Sequence, residues 1–251
     1  MTYKFKNINN IQNQILPLFC LCLAAVTPSA AAPVVLNGSF EDIGSATASF
    51  AINYPTVLPN WTATPSGNKI LDCLVTPGAT NNLCGTVAFG GGFRFWINPG
   101  ESPDGGNYVA IDGDPAYATP LRQTVTGLTI GYDYLISFYQ AAAQQQGFDG
   151  ATTERWQVSL GSQSKLSTLM NNANHGKVDW MPQSLTFTAA ATTSILSFFA
   201  IGTPSGQPPF VLLDGVTITE VPNTANPEPA SMALIGLGLL SLPLIRRFGK
   251  K

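Results

Sequence analysis

Histidine is almost absent from this chain. The single one, His175, sits in the polar stretch Asn171-Asn172-Ala173-Asn174-His175-Gly176. No Gly-x-Ser-x-Gly pattern surrounds it, so a hydrolytic triad has no support and His175 reads as a solvent-exposed loop residue. Charge is scarce as well, at 10% of 251 residues. Between Pro33 and Asn226, six Lys or Arg face thirteen Asp or Glu, which leaves that stretch at −7. No basic cluster is present to neutralise phosphates, which excludes a nucleic-acid partner. Cysteines number four. Cys20 and Cys22 lie in an apolar N-terminal run. The remaining pair, Cys73 and Cys84, cannot with one distant histidine complete a zinc site. The chain between its two ends also lacks any helical stripe of apolar residues.

Glycine and proline are plentiful instead, at 24 and 19 residues, and 45% of the chain is hydrophobic. That balance suits a turn-rich all-β domain and excludes a disordered chain. At the N-terminus, Lys4 and Lys6 precede the apolar run Ile15–Val26, and the small residues Ser29, Ala30, Ala31 and Ala32 follow. A basic start, a short apolar stretch and a small-residue site make a secretory signal peptide, assigned to residues 1–31 with cleavage after Ala31. Export to an oxidising compartment predicts a Cys73–Cys84 disulfide.

At the other end, Asn226-Pro227-Glu228-Pro229-Ala230-Ser231 leads into an uncharged apolar segment, and Arg246, Arg247, Lys250 and Lys251 close the chain. Residues 230–245 as a helix would be about 24 Å long at roughly 1.5 Å per residue. That is short for a bilayer core of about 30 Å, a gap that snorkelling arginines or local thinning can close. The basic end would stay cytoplasmic.

Pro227, Glu228, Pro229, Ala230 and Ser231, the apolar run and the pair Arg246-Arg247 together resemble a PEP-CTERM sorting domain, here residues 222–251. The resemblance implies a membrane-anchored precursor. An exosortase-type enzyme would recognise and remove the tail, leaving the protein at the cell surface or in the extracellular matrix. These residues would be an address and not an active site. A plain membrane anchor is the alternative.

Residues 32–221 read as one domain. Alternating runs predict strands near 34–40, 87–95, 108–111, 121–126, 134–139, 155–160, 183–187, 195–200 and 211–218. Tyr132, Tyr134, Ile136 and Phe138 make the clearest period-two run. Many short strands without helices indicate a β-sandwich. Ala141–Gly150 is expected to leave a strand into an exposed loop.

Asn37-Gly38-Ser39-Phe40-Glu41, Leu58-Pro59-Asn60-Trp61, Tyr108–Gly113, Gln123–Leu128, Tyr134–Phe138 and Leu212–Val216 resemble, in that order, the galactose-binding-like jelly roll of carbohydrate-binding modules. The expected fold is therefore an all-β, jelly-roll-like sandwich, with an N-terminal signal helix and a C-terminal hydrophobic helix outside it. Cys73–Asn98 matches no part of that pattern and reads as an insertion carrying the disulfide. The resemblance also implies a structural calcium near the first and last strands, with Glu41 and Asp214 as ligands; carboxylates at turns or edges without metal are the alternative. No cofactor is otherwise required.

Sugars are bound by aromatic faces and a few polar groups. Trp96, Phe93, Phe148 and Gln145 are the candidate ligand-binding residues, whereas Trp61 and Trp156 suit the core. A glycosidase would need two carboxylates at a suitable separation, drawn from Asp104, Asp112, Asp114, Asp149 and Glu154. The expected protein is non-catalytic and exported, with exopolysaccharide as a candidate ligand. A purely structural or adhesive surface protein, or a carbohydrate-active enzyme, stands as the alternative.

Overall fold

From Asp133 to Gln144 every second side chain, starting at Tyr134, is buried, and most of those between are half-exposed. Thr152–Leu160 repeats the pattern from Thr152 onward. Such alternation is what a half-buried strand requires. The computed structural model describes residues 31–44, 50–51, 58–63, 72–78 and 93–222. The expected signal peptide up to residue 30, Cys84 and the sorting segment from residue 223 lie outside the described residues. No helix among the described residues is long and apolar enough to cross a membrane.

Among the described residues, twelve strands form two antiparallel sheets. The first sheet runs β1 (Phe50–Ala51), β3 (Asp72–Val75), β4 (Tyr108–Asp112), β12 (Pro209–Glu220), β6 (Asp133–Gln144) and β10 (Lys177–Thr188). The second runs β2 (Thr62–Ala63), β5 (Pro120–Thr126), β11 (Thr193–Thr203), β7 (Thr152–Leu160) and β8 (Gln163–Leu166), with β9 (Met170–Asn172) also paired to β7. The last strand is inserted between β4 and β6, so the chain crosses repeatedly between sheets, and the result is the expected jelly-roll-like sandwich.

Between the sheets lies an aromatic core. The Phe198 ring meets Trp61, Phe138 and Trp156 at centroid distances of 6.3, 5.2 and 5.9 Å. All four side chains are buried, and burial of each such ring contributes about 1.5–3 kcal/mol. The indole N–H of Trp61 donates to the Asn37 carbonyl and that of Trp156 to the Leu212 carbonyl, so neither ring buries an unpaired donor.

A second apolar cluster covers the opposite face of the first sheet. Cys73, Val75, Tyr108, Ala110, Ala141, Ala143, Phe210 and Leu212 contribute from the strands, and Phe93 and Phe95 come from the segment that lies over them. Phe93 stacks on Phe210 at 4.5 Å and Phe95 meets the same ring at 5.3 Å. This is why β4 is buried at every position instead of alternating.

Several expectations change. Residues 36–39 form a turn and not a strand: Asn37 and Phe40 have φ of 50° and 56°, and the Phe40 amide closes back on the Asn37 carbonyl. Gly38 is needed there because a Cβ would stand 2.0 Å from the Val216 carbonyl oxygen. The start of the supposed insertion, Cys73–Val75, belongs to β3, which pairs with β4. Of the strand expected at 87–95, residues 93–95 make only isolated bridges. The stretch expected to leave a strand at Ala141 continues within β6 to Gln144.

Candidate functional site

The turn at 36–39 delivers Glu41 to the loop Ser102–Asn107. The Asn107 amide donates to Glu41 Oε1 at 2.7 Å, and its side-chain Nδ2 donates to Oε2 at 3.2 Å and to the Phe40 carbonyl at 3.1 Å. Gly106 packs so tightly here that a Cβ would fall 1.8 Å from Glu41 Oε1.

Asp214 arrives at the same place from β12, at the point where its pairing with β6 shifts register. It is fully buried, and neither carboxylate oxygen has a hydrogen-bond partner. Burial pushes its pKa up to about 7. Asp104 and Glu41 push the same way, while Ser102 and the Gly215 amide pull it back without reaching good hydrogen-bond geometry. Asp104 lies over Gly215, whose Cβ would stand 3.2 Å from the Asp104 Cβ. Glu41 and Asp104 are exposed, so the cluster opens to solvent on one side. The structure thus brings Glu41 and Asp214 into electrostatic contact and adds Asp104, which sequence reasoning treated only as a catalytic candidate. Among the described residues, no group of three or more His, Cys, Asp or Glu side chains is arranged to hold a metal by itself. The unpartnered oxygens of buried Asp214 are the one feature of the cluster that a cation would satisfy.

Beside this cluster, on the outer face of the first sheet, lies a pocket of about 240 Å³. Tyr108, Thr76, Asn98, Gly100, Glu101 and Gly106 are among the residues that line it. The Tyr108 hydroxyl donates to Asn98 Oδ1 at 3.3 Å, and burial pushes its pKa up to about 12. Asn98 Oδ1 also accepts from the Gly100 amide at 2.8 Å. Trp180 abuts Tyr108 edge to face at 5.3 Å, and its indole N–H donates to the Gly100 carbonyl. Among the described lining residues, Glu101 is the only carboxylate.

The four residues expected to bind ligand lie around the nearby β6 terminus. Phe93 is 8% exposed and belongs to the apolar cluster. Trp96 is half-buried, donates its indole N–H to the Phe148 carbonyl and stacks on His175 at 3.9 Å. Gln145 bridges to Phe95. None of the four lines the pocket. His175 is held by the loop: its Nε2 lies 2.5 Å from Asp149 Oδ1 and its amide donates to Gln144 Oε1.

Of the carboxylates considered for glycosidase chemistry, Asp112 and Asp114 are neighbours, the Asp114 amide donating to Asp112 Oδ1 at 2.8 Å, and Asp112 also faces Asp72. Asp112 and Glu154 are fully buried. Burial raises the pKa of Asp112 to about 7 and that of Glu154 to about 8. Asp114 accepts from the amides of Ala116 and Gly206 and from the Ser205 hydroxyl, and so fastens one loop to another. Asp149 faces His175 at the exposed loop.

No family model matches the chain, and no curated protein matches it. Among solved structures, it is similar to TmCBM61, described in complex with β-1,4-galactotriose, at 14% identity and a TM-score of 0.42 over 74% of this chain and 97% of that one. A CBM4 structure matches 74% of this chain and 98% of its own at 17% identity and a TM-score of 0.32. The enzymatically active domain of tailspike protein 4 from bacteriophage CBA120 matches 74% of this chain at 13% identity and a TM-score of 0.39, and this chain covers 21% of its length.

Proposed function

We propose that this chain is an exported, non-catalytic surface or matrix protein whose domain binds a neutral glycan, such as a segment of exopolysaccharide. The observation that carries this reading is the pocket on the outer face of the first sheet. An aromatic residue at Tyr108, amide and hydroxyl groups at Asn98 and Thr76, and a carboxylate at Glu101 in the lining suit a ring with hydroxyl groups. Among the described lining residues Glu101 is the only carboxylate, where two-carboxylate hydrolysis would need a pair. Trp96, Phe148 and Gln145 support a second locus, because the half-exposed Trp96 ring is held rigidly between Phe148 and His175.

The test is titration of the folded protein with exopolysaccharide purified from the producing cells. Glu101→Ala should weaken binding about 10-fold, a change of about 1.4 kcal/mol. Trp96→Ala should leave it unchanged; the reverse ranking would move the site to the second locus. Absence of binding by folded protein would favour the purely structural role.

Export through the tail rests on the sequence at both ends. Intact mass of the protein from its own cells should correspond to a chain beginning near Ala32 and ending near Pro229. A mass reaching Lys251 would instead mean a tethered ectodomain. A structural calcium at Glu41 and Asp214 belongs to the same reading. It would neutralise Asp214 and add to folding stability, so EGTA should lower the Tm.

A further inference from the structure

The described chain enters and leaves the sandwich at one end. Residues 31–33 pass over Gly127, just beyond β5, where a Cβ would stand 2.4 Å from the Ala31 carbonyl oxygen. Gln123 of β5 then holds both backbone groups of Leu36. After β12, the Val221 amide donates to the Asp133 carbonyl at the start of β6. Between β5 and β6, the amides of Leu128 and Gly131 donate to the carbonyls of Thr192 and Ala189. Two of these segments carry the most exposed large apolar side chains among the described residues, Ile130 at 62% and Val34 at 58%, and exposed Tyr132 and Val221 join them. Residues 31–36, 127–133, 189–192 and 219–222 hold no Lys or Arg, and their two carboxylates are Asp133 and Glu220. Asp133 accepts from the Thr188 hydroxyl and Glu220 from the Tyr134 hydroxyl.

We propose that this end of the sandwich lies on a bilayer surface, with Val34, Ile130, Tyr132 and Val221 set into the lipid interface. This rests on the reading of residues 230–245 as a membrane segment. Only residues 223–229 separate Pro222 from that segment, so the reach from Pro222 to Ala230 is at most roughly 29 Å. The opposite end lies the length of β6 away, roughly 35 Å for a 12-residue strand. The tether is therefore too short to turn that opposite end onto the bilayer. It also holds the four apolar side chains at high local concentration beside lipid, so weak insertion suffices. Tyrosine suits such an interface, because its ring is apolar and its hydroxyl stays in water. With no basic side chain on these segments, the contact draws on apolar burial and not on anionic headgroups. The orientation has a consequence for recognition. The Trp96 amide donates to the carbonyl of Gln144, at the far end of β6, so Trp96 and the His175 loop stacked on it project away from the membrane.

The full chain is reconstituted in phosphatidylcholine vesicles, plain or brominated high on the acyl chain. Emission of Ile130→Trp minus that of wild type reports the new indole. Brominated lipid should cut this difference at least ~2-fold. Gln146→Trp, at an exposed position on the opposite end, should not be quenched. Val34→Asp, made in Ile130→Trp, should remove the quenching by placing a charge in the interface, while the chain still floats with the vesicles through its tail. Replacing part of the phosphatidylcholine with phosphatidylglycerol should leave the quenching equal or weaker, because Asp133 and Glu220 are the only charges on these segments. Stronger quenching would mean that basic side chains elsewhere hold the domain down, and overturns the proposal. A chain that floats while Ile130→Trp stays unquenched overturns the proposal and leaves the tail reading standing. A chain that does not float refutes both. Emission that shifts to the blue as protein density rises, yet resists brominated lipid, would assign this end to a second copy of the chain and also overturns the proposal.

Discussion

Replacing Glu154 with glutamine should stabilise the protein in mild alkali and leave it almost unchanged in mild acid. Glu154 projects from β7 into the sandwich opposite Gly202 and is fully buried. The Thr152 hydroxyl donates to Oε1, whereas Oε2 and the nearby Asn172 amide face each other without reaching good hydrogen-bond geometry. Burial raises the pKa from 4.5 to about 8, and Thr152 and Asn172 pull it only partly back. Because the folded value lies above the unfolded one, the folded state holds a proton that the unfolded state has lost throughout that interval. Stability therefore falls as pH rises from about 4.5 to about 8, by up to ~1.4 kcal/mol per pH unit. Between pH 5 and pH 8 the accumulated loss is of order 3 kcal/mol. Glutamine mimics the protonated acid: its carbonyl can accept from Thr152, and its NH2 can donate to Asn172 Oδ1. Urea unfolding of both proteins at pH 5 and pH 8 measures this. Asp72, Asp112 and Asp214 titrate in the same direction in both proteins, so the change in the mutant-minus-wild-type difference isolates Glu154. An equal difference at the two pH values would refute the argument.

Phe198→Ala should cost about 3–5 kcal/mol in urea unfolding, because that ring joins three other core aromatics; a loss below ~1 kcal/mol would mean the core collapses around it. Gly106→Ala should loosen the grip of Glu41 on Asn107, since the added Cβ collides with the Glu41 carboxylate. Its signature is a lower Tm that Glu41→Ala, made in the same protein, partly restores. The expected Cys73–Cys84 disulfide would close a short loop worth at most roughly 3 kcal/mol. Alkylation before and after reduction should label neither cysteine and then both, and labelling without reduction would rule the pairing out.

What the sequence revealed of this fold depended partly on how many faces a strand buries. Tyr134, Ile136 and Phe138 alternate with half-exposed residues, so β6 was legible at its start, as were β5, β7, β11, part of β10 and β12 from residue 211 to 218; β4, buried at every position, was legible too. Asp72–Val75 was missed because no alternation marks it and, unlike the equally buried β4, its apolar run is only Cys73-Leu74-Val75, between Asp72 and the turn at Pro77-Gly78. The same reason hid the end of β6. Ala141, Ala142 and Ala143 are apolar on both parities, which signals a strand covered on both faces, although the glutamines that follow suggested a loop. Asn37–Phe40 misled in the opposite direction. Its residues suit a strand, but its left-handed positions are occupied by Asn37 and Phe40, and only Asn announces such a conformation. In the carboxylate cluster, Glu41 and Asp214 were anticipated together, but Asp104 was not. Pro103-Asp104-Gly105-Gly106 reads locally as a turn, and its approach to Gly215 is a long-range fact of folding.

The covered outer face also explains why an expected ligand residue such as Phe93 is packed inward. Ala110, Ala141 and Ala143 leave a shallow depression on the first sheet, and Phe93 and Phe95 fill it against Phe210. The segment carrying those rings continues through Trp96 to Asn98 and the pocket wall. The depth left by alanine should therefore govern the pocket from beneath. Ala141→Leu would add bulk on the outer face beside Leu212, lift the Phe93–Phe95 segment and cost about 1–3 kcal/mol by overpacking. Ala142→Leu, one residue away on the inner face with Val211, should cost a similar amount without disturbing that segment. Trp180 emission, compared in the two variants at matched stability, separates the cases. A shift in Ala141→Leu alone would place control of the pocket in the outer layer, and equal shifts would show that the two faces of the sheet respond as one packed unit.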